Sequence, residues 1–136
     1  MGASNWPGLA IPKPEPRWKS KDRKVKEEAK TVKTVYELVD VRDQKCCRIC
    51  RKRCGGIGLL YAVHHHHIVS KSIAPIEIKH TTANICSLCN DCHDKVENSG
   101  LLRVSGDADA RDAIGVLCGL TVERVIDGGW ESVGQR

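Results

Sequence analysis

Two CxxC pairs, Cys47/Cys50 in "CRIC" and Cys89/Cys92 in "CNDC", stand about forty residues apart in a chain of 136. Two such knuckles bring four thiolates to one tetrahedral zinc ion, and a closed site of that kind supplies folding energy directly. The chain needs a staple of this sort. It has no Phe, two Tyr, three Trp and one Met, too little bulk for its apolar core to carry the fold unaided. Cys46, Cys54 and Cys86 lie near enough to compete as ligands, and Cys86/Cys89 is itself a CxxC. The pair Cys89/Cys92 is preferred because Cys92 falls in the first turn of an expected helix. Cys54 and Cys118 read as core or surface thiols.

The compartment decides between thiolate ligands and disulfides. The start, "MGASNWPGLAIPKPEPRWKSK", lacks a basic segment followed by a long apolar one, so it does not read as a secretory signal. No apolar run approaches the roughly 20 residues that span a bilayer. The expectation is a soluble, cytoplasmic protein with reduced thiols and no membrane partner.

Charge is unevenly spread. Residues 1–54 hold 15 Lys/Arg against 7 Asp/Glu, a net +8, whereas residues 55–136 hold 7 against 10, a net −3. The densest basic run, "KCCRICRKR" at 45–53, carries Lys45, Arg48, Arg51, Lys52 and Arg53 with no acid, which suits a polyanion such as nucleic acid. Lys71 and Lys79, in a long polar loop at about 70–83, join them as candidate DNA contacts, with His80 beside them.

Residues 1 to about 20 are Pro-rich and aperiodic, an extended arm. Val32, Val35, Tyr36 and Val39 then recur at helical spacing, predicting an amphipathic helix from about Lys24 to about Arg42. "LLYAVHHHHIV" reads as a strand entering a loop, and Asn90 or Asp91 as the N-cap of a two-turn helix stopped at Asn98-Ser99-Gly100. Beyond it, "LLRVSG" reads as a strand and "DADARDAIGVLCGL" as a helix starting at an Asp cap. The expected division is an arm at 1–22, a domain at 23–100 and an accessory segment at 101–136.

His93 and Glu97, four apart on the short helix, share a face and could reach one metal ion. "HHI" at 66–68, Asn84 and "CNDCH" ending at His93 together resemble the HNH endonuclease family, in the subclass stapled by a four-cysteine zinc site. "RDQKCCRIC" is similar to the arginine-aspartate run that often precedes the first CxxC there. The resemblance covers about residues 40–98. It implies an α+β fold: a small zinc-stapled ββα-metal (treble-clef) core, with an N-terminal helix and accessory C-terminal helix and strand elements. It also implies His66 and His93 as ligands of a catalytic divalent ion, with Glu97 where some members carry a further ligand. His67 becomes the general base, and Asn84 the residue that braces the loop and orients that base. Cys47, Cys50, Cys89 and Cys92 hold the structural zinc.

Such a site hydrolyses phosphodiesters. Mg²⁺ or Mn²⁺ is the expected catalytic ion, with Ni²⁺ or Zn²⁺ as alternatives that accept imidazole readily. Double-stranded DNA is the expected partner. Small members of the family occur in phages and bacteria, so a bacterial cytoplasm and phage packaging proteins are the implied setting and associates. His64 and His65 read as strand residues without a role of their own. The alternative to an enzyme is a non-catalytic treble-clef module that binds DNA or RNA; a zinc-stabilised adaptor is a weaker third reading.

Overall fold

The computed structural model describes residues 13, 14, 16–53 and 63–135. The Pro-rich start at 1–12, Cys54, the glycine-rich sequence at 55–58 and the apolar sequence at 59–62 lie outside these residues. The elements in chain order are α1 (Arg17–Asp43), β1 (His64–His67), α2 (Ile76–Lys79), a 3₁₀ turn (Thr82–Asn84), β2 (Ile85–Leu88), α3 (Asn90–Glu97), β3 (Leu102–Gly106), β4 (Leu120–Ile126) and β5 (Gly129–Gln135). This is the expected α+β architecture.

Helix α1 begins at Arg17, seven residues before the expected start at about Lys24 and inside the stretch expected to be an extended arm. Pro16 at its N-cap position has the extended φ −54°, ψ 138° that a proline favours. Between Arg17 and Thr31, Lys, Arg, Glu and Ala predominate, and these straight-chain residues are strong helix formers. Periodicity shows where a helix is buried, and propensity carried this one further. Its one fully buried apolar residue, Val39, lies in the C-terminal half.

β1 and β2 form an antiparallel pair in the register His64↔Leu88, His65↔Ser87, His66↔Cys86, His67↔Ile85. Sheet alternation places His65 and His67 towards Tyr36 of α1, and His64 and His66 towards His93 of α3. The expected polar loop at 70–83 contains α2 and the 3₁₀ turn. Helix α3 opens at Cys89, one residue before the expected cap, because the Cys89 sulfur accepts the Cys92 N–H at 3.5 Å. It ends at Glu97, and Gly100 takes φ +64° just beyond.

The largest departure is the C-terminal segment. No helix forms at 107–119. Side chains there compete with helical hydrogen bonds: Asp107 Oδ1 accepts the Asp109 N–H at 2.8 Å, and Asp112 Oδ1 accepts the N–H groups of Ile114 and Val116 at 3.0 and 2.9 Å. The strands β3, β4 and β5 instead make an antiparallel meander, its last hairpin turned by Asp127 and Gly128, both with positive φ as a type I′ turn requires. Val104, Ala108, Leu120 and Val122 of this segment share one buried cluster with Cys47, Leu88, Cys89 and Cys92. The meander thus completes the core around the cysteines.

Arg42 and Asp43 seal the joint. Asp43 is buried and accepts from Arg42 Nε at 2.7 Å, Arg48 at 3.0 Å and the Ser87 N–H at 2.9 Å, while Arg42 also reaches Asp109 and the carbonyls of Thr82 and Ile85. Burial alone would raise the Asp43 carboxyl; the hydrogen bonds and charge of Arg42, with the Ser87 N–H and Arg48, outweigh it and hold the group below its ordinary value.

Candidate metal centres and active-site cleft

The sulfur atoms of Cys47, Cys50, Cys89 and Cys92 all lie within 4.8 Å of one another, with Cys50 and Cys89 3.6 Å apart. Two sulfurs at about 2.3 Å from a tetrahedral zinc stand about 3.8 Å apart, so the spacing fits. Burial raises the Cys47 thiol, but N–H groups of Cys89, Cys50 and Ile49 directed at its sulfur more than offset this and favour the thiolate. Cys86 is fully buried, and its thiol is pushed up to about 12, chiefly by burial. It belongs to the core and stands outside the four-sulfur cluster.

A second cluster joins the other face of α3 to β1. Ligand atoms of His66, His93 and Glu97 also lie within 4.8 Å of one another. His66 Nδ1 stands 2.9 Å from Glu97 Oε1. Burial lowers the His66 and His93 imidazoles from their ordinary values; each feels a neighbouring histidine that lowers it further and Glu97 that opposes. Both rings are therefore neutral near pH 7, the form that ligates a metal.

This cluster opens into a cleft of about 270 Å³ lined by His65, His66, His67, Ser70, Lys71, His93 and Glu97. His67 is 9% exposed and its Nε2 has no hydrogen-bond partner. Burial first, then the charges of Lys71, His80, His66 and Lys79, lower it to about 4. The loop after β1 is clamped by Asn84: its Oδ1 accepts the Val69 N–H at 2.8 Å, its Nδ2 donates to the Val69 carbonyl at 3.1 Å, and its own carbonyl accepts the Ile68 N–H at 2.8 Å.

His64 and His65 are engaged rather than idle. His64 stacks on His93 at 4.4 Å with an 8° angle between planes, and His65 stacks on Tyr36 at 4.2 Å while bonding Asp40 Oδ1 at 2.7 Å. These contacts hold the two faces of the start of the strand that presents His66 and His67. The sequence reading placed Tyr36 only in the apolar stripe of α1 and passed over Asp40; their joint signal, a polar residue four positions after an aromatic on one helix face, is too common to stand out.

The basic candidates divide. Lys71 lines the cleft. Lys79 lies in an adjoining groove, 3.7 Å from Glu28, which also meets His80 at 2.9 Å. Lys45, Arg51, Lys52 and Arg53 are exposed around the first knuckle and none lines the cleft. Arg48 is a correction: it is 8% exposed and donates to Asp43 and the Ala108 carbonyl, so it is a strut of the core and not a DNA contact.

No helix among the described residues is long and apolar enough to cross a membrane. Comparison with known proteins matches residues 47–99 to the model of the HNH endonuclease family. No curated protein and no solved structure matches the chain. The matched span opens at the first ligand cysteine, takes in the paired strands β1 and β2, and closes just after α3. Residues 47–99 thus match the HNH endonuclease family, and their four clustered cysteines fit its zinc-bearing subclass.

Proposed function

We propose that the chain is a metal-dependent DNA endonuclease that hydrolyses phosphodiester bonds with one divalent ion and a histidine general base. One observation carries this reading: a buried imidazole nitrogen without a partner, on His67, lies in the same cleft as the three-ligand cluster of His66, His93 and Glu97. A module that only binds nucleic acid needs neither.

Two imidazoles and a carboxylate fit Mn²⁺, Ni²⁺ or Zn²⁺ well and Mg²⁺ less well, since Mg²⁺ favours oxygen ligands. When bound, the ion supplies Lewis-acid stabilisation of charge that builds on the phosphate oxygens. His67 is neutral at pH 7 and takes the proton from the attacking water as its oxygen bonds to phosphorus. The bond from phosphorus to the 3′ oxygen breaks, leaving 5′-phosphate and 3′-hydroxyl ends. A base of such low basicity has limited driving force, and the negative charge of a bound phosphodiester raises it towards the useful range. Asn84 holds the loop that follows the base, and Lys71 offers a cation to the phosphate.

The exposed cations of the first knuckle favour a second reading, a non-catalytic DNA- or RNA-binding module, because they suit a polyanion and lie away from the cleft. Incubation of supercoiled plasmid with Mg²⁺ or Mn²⁺ separates the two. Wild type nicks or linearises the plasmid, and His67→Ala is slowed by about 10²- to 10⁴-fold while retarding the same DNA on a gel. Retardation without cutting by wild type would sink the enzyme; undiminished cutting by the variant would sink His67 as the base.

A further inference from the structure

Five exposed cations of α1, Lys19, Arg23, Lys26, Lys30 and Lys33, form one series along the helix. Their spacing of four, three, four and three residues returns to one side of a helix, spreading over roughly 80° at 100° per residue. At 1.5 Å per residue the row runs about 21 Å. Asp22 and Glu27 border the row, sharing a surface depression with Lys19, Arg23, Lys26 and Lys30, whereas Glu28 falls away from it. The next positions in the series are Glu37 and Asp40, and Asp40 bonds His65, the immediate neighbour of His66 and His67. The row therefore leads along the helix to the strand that walls the cleft.

A groove of about 570 Å³ connects the two places. Lys33 and Tyr36 line its helix side and Lys71 its loop side, and Lys71 also lines the cleft. The acids in this groove are largely occupied: Glu28 meets Lys79 and His80, and Asp40 meets His65. Fifteen of the 22 Lys/Arg of the chain precede residue 55; on α1 itself Arg17, Lys21 and Lys24 fall on the opposite side of the helix, and this set forms the longer row.

The geometry points to the Lys19–Lys33 face of α1 as a phosphate-tracking arm that holds the backbone of duplex DNA flanking the bond in the cleft. Phosphates recur along one strand every 3.4 Å of axis, so a 21 Å row of cations spans about six base pairs. The arm contacts backbone alone, so it adds affinity and register without sequence preference. The inference rests on the nuclease reading for its choice of DNA as occupant.

The test uses the full chain with His67→Ala, so that the probe survives, and the same chain with Lys19, Lys26, Lys30 and Lys33 all changed to Gln, which keeps helix propensity. Fluorescence anisotropy follows binding to a duplex of about 40 base pairs and one of about 10 over a range of salt, with helix content checked by circular dichroism. The four-Gln chain should bind the long duplex at least about tenfold more weakly near physiological salt, with the slope of log K against log salt shallower by about 3. On the short duplex, which centred on the cleft leaves fewer flanking phosphates than the row spans, the loss should be smaller. Equal slopes on the long duplex would overturn the arm while plasmid cutting by the wild-type chain still upheld the nuclease. Equal weakening on both duplexes would also overturn it, since the lysines would then act as diffuse charge. Loss of binding to vesicles of one part phosphatidylserine to three parts phosphatidylcholine, with duplex binding unchanged, would assign the face to a lipid surface instead. A chain that neither binds nor cuts duplex removes the nuclease reading and the arm together.

Discussion

The two ligand clusters meet on one eight-residue helix and could hardly be more differently housed. Three of the four cysteines are buried in the main apolar cluster, whereas the histidine-carboxylate set opens to a cleft and ends in Glu97, whose side chain is 49% exposed. Closure suits an ion that holds a fold, because four protein ligands leave no place for a substrate. Openness suits an ion that does chemistry. Cys92 and His93 are adjacent, yet the helix turns them to opposite duties.

That contrast can be broken in several places. The largest effect is expected from Cys89→Ser, which removes a thiolate ligand while its hydroxyl can still cap α3: the cooperative thermal transition should vanish, and metal analysis after EDTA dialysis should fall from about one zinc per chain to none. A variant that still melts cooperatively without zinc would show that the apolar core suffices. His93→Ala should instead melt within a few degrees of wild type and lose plasmid cutting by at least about a hundredfold. If both variants unfold alike, the division of labour along α3 is wrong.

Asp43→Asn probes the scaffold between the clusters and should cost about 3–5 kcal/mol in denaturant unfolding, since it leaves Arg42 and Arg48 as buried charges short of a counter-ion. The pH dependence follows from the direction of the shift. A carboxyl held below its ordinary value in the fold contributes stability that is fully present above the unfolded value near 3.9, and this is lost as pH falls through the lower folded value. The wild-type stability should therefore fall steeply below about pH 4, and the Asn variant should lack that component. The smallest effect is expected for Glu97→Gln, a half-exposed ligand at the cleft mouth: a several-fold weaker metal dependence of cutting with an unchanged melting temperature. An effect as large as that of His93→Ala would make Glu97 an equal ligand.

The spacing of Cys47, Cys50, Cys89 and Cys92, and of His66, Asn84 and His93, was enough to foresee both clusters and the family match, because ligands must fall at fixed intervals whatever surrounds them. Residues whose roles depend on three-dimensional neighbours were hidden. Arg48 looks like one more cation in a basic run and is a buried strut; its partners Asp43 and Ala108 lie five and sixty positions away. The stretch at 107–119 has helix-compatible composition, but Asp107 and Asp112 capture nearby N–H groups, so local hydrogen bonds prevail over propensity. Helix α1 erred in the opposite direction. With no apolar periodicity before Val32, the expected start was placed too late, on the part of the helix that lies in solvent.

Cys89 closes the sulfur cluster and starts the helix that carries His93. On the zinc reading of the sulfur cluster, assembly has an order: a filled sulfur site anchors α3, and an anchored α3 offers His93 to the second cluster. A chain produced under zinc starvation, or with its thiols oxidised, should lack the cleft's ligand set although nothing in the cleft has been altered. Zinc supply becomes a licence for the chemistry next door.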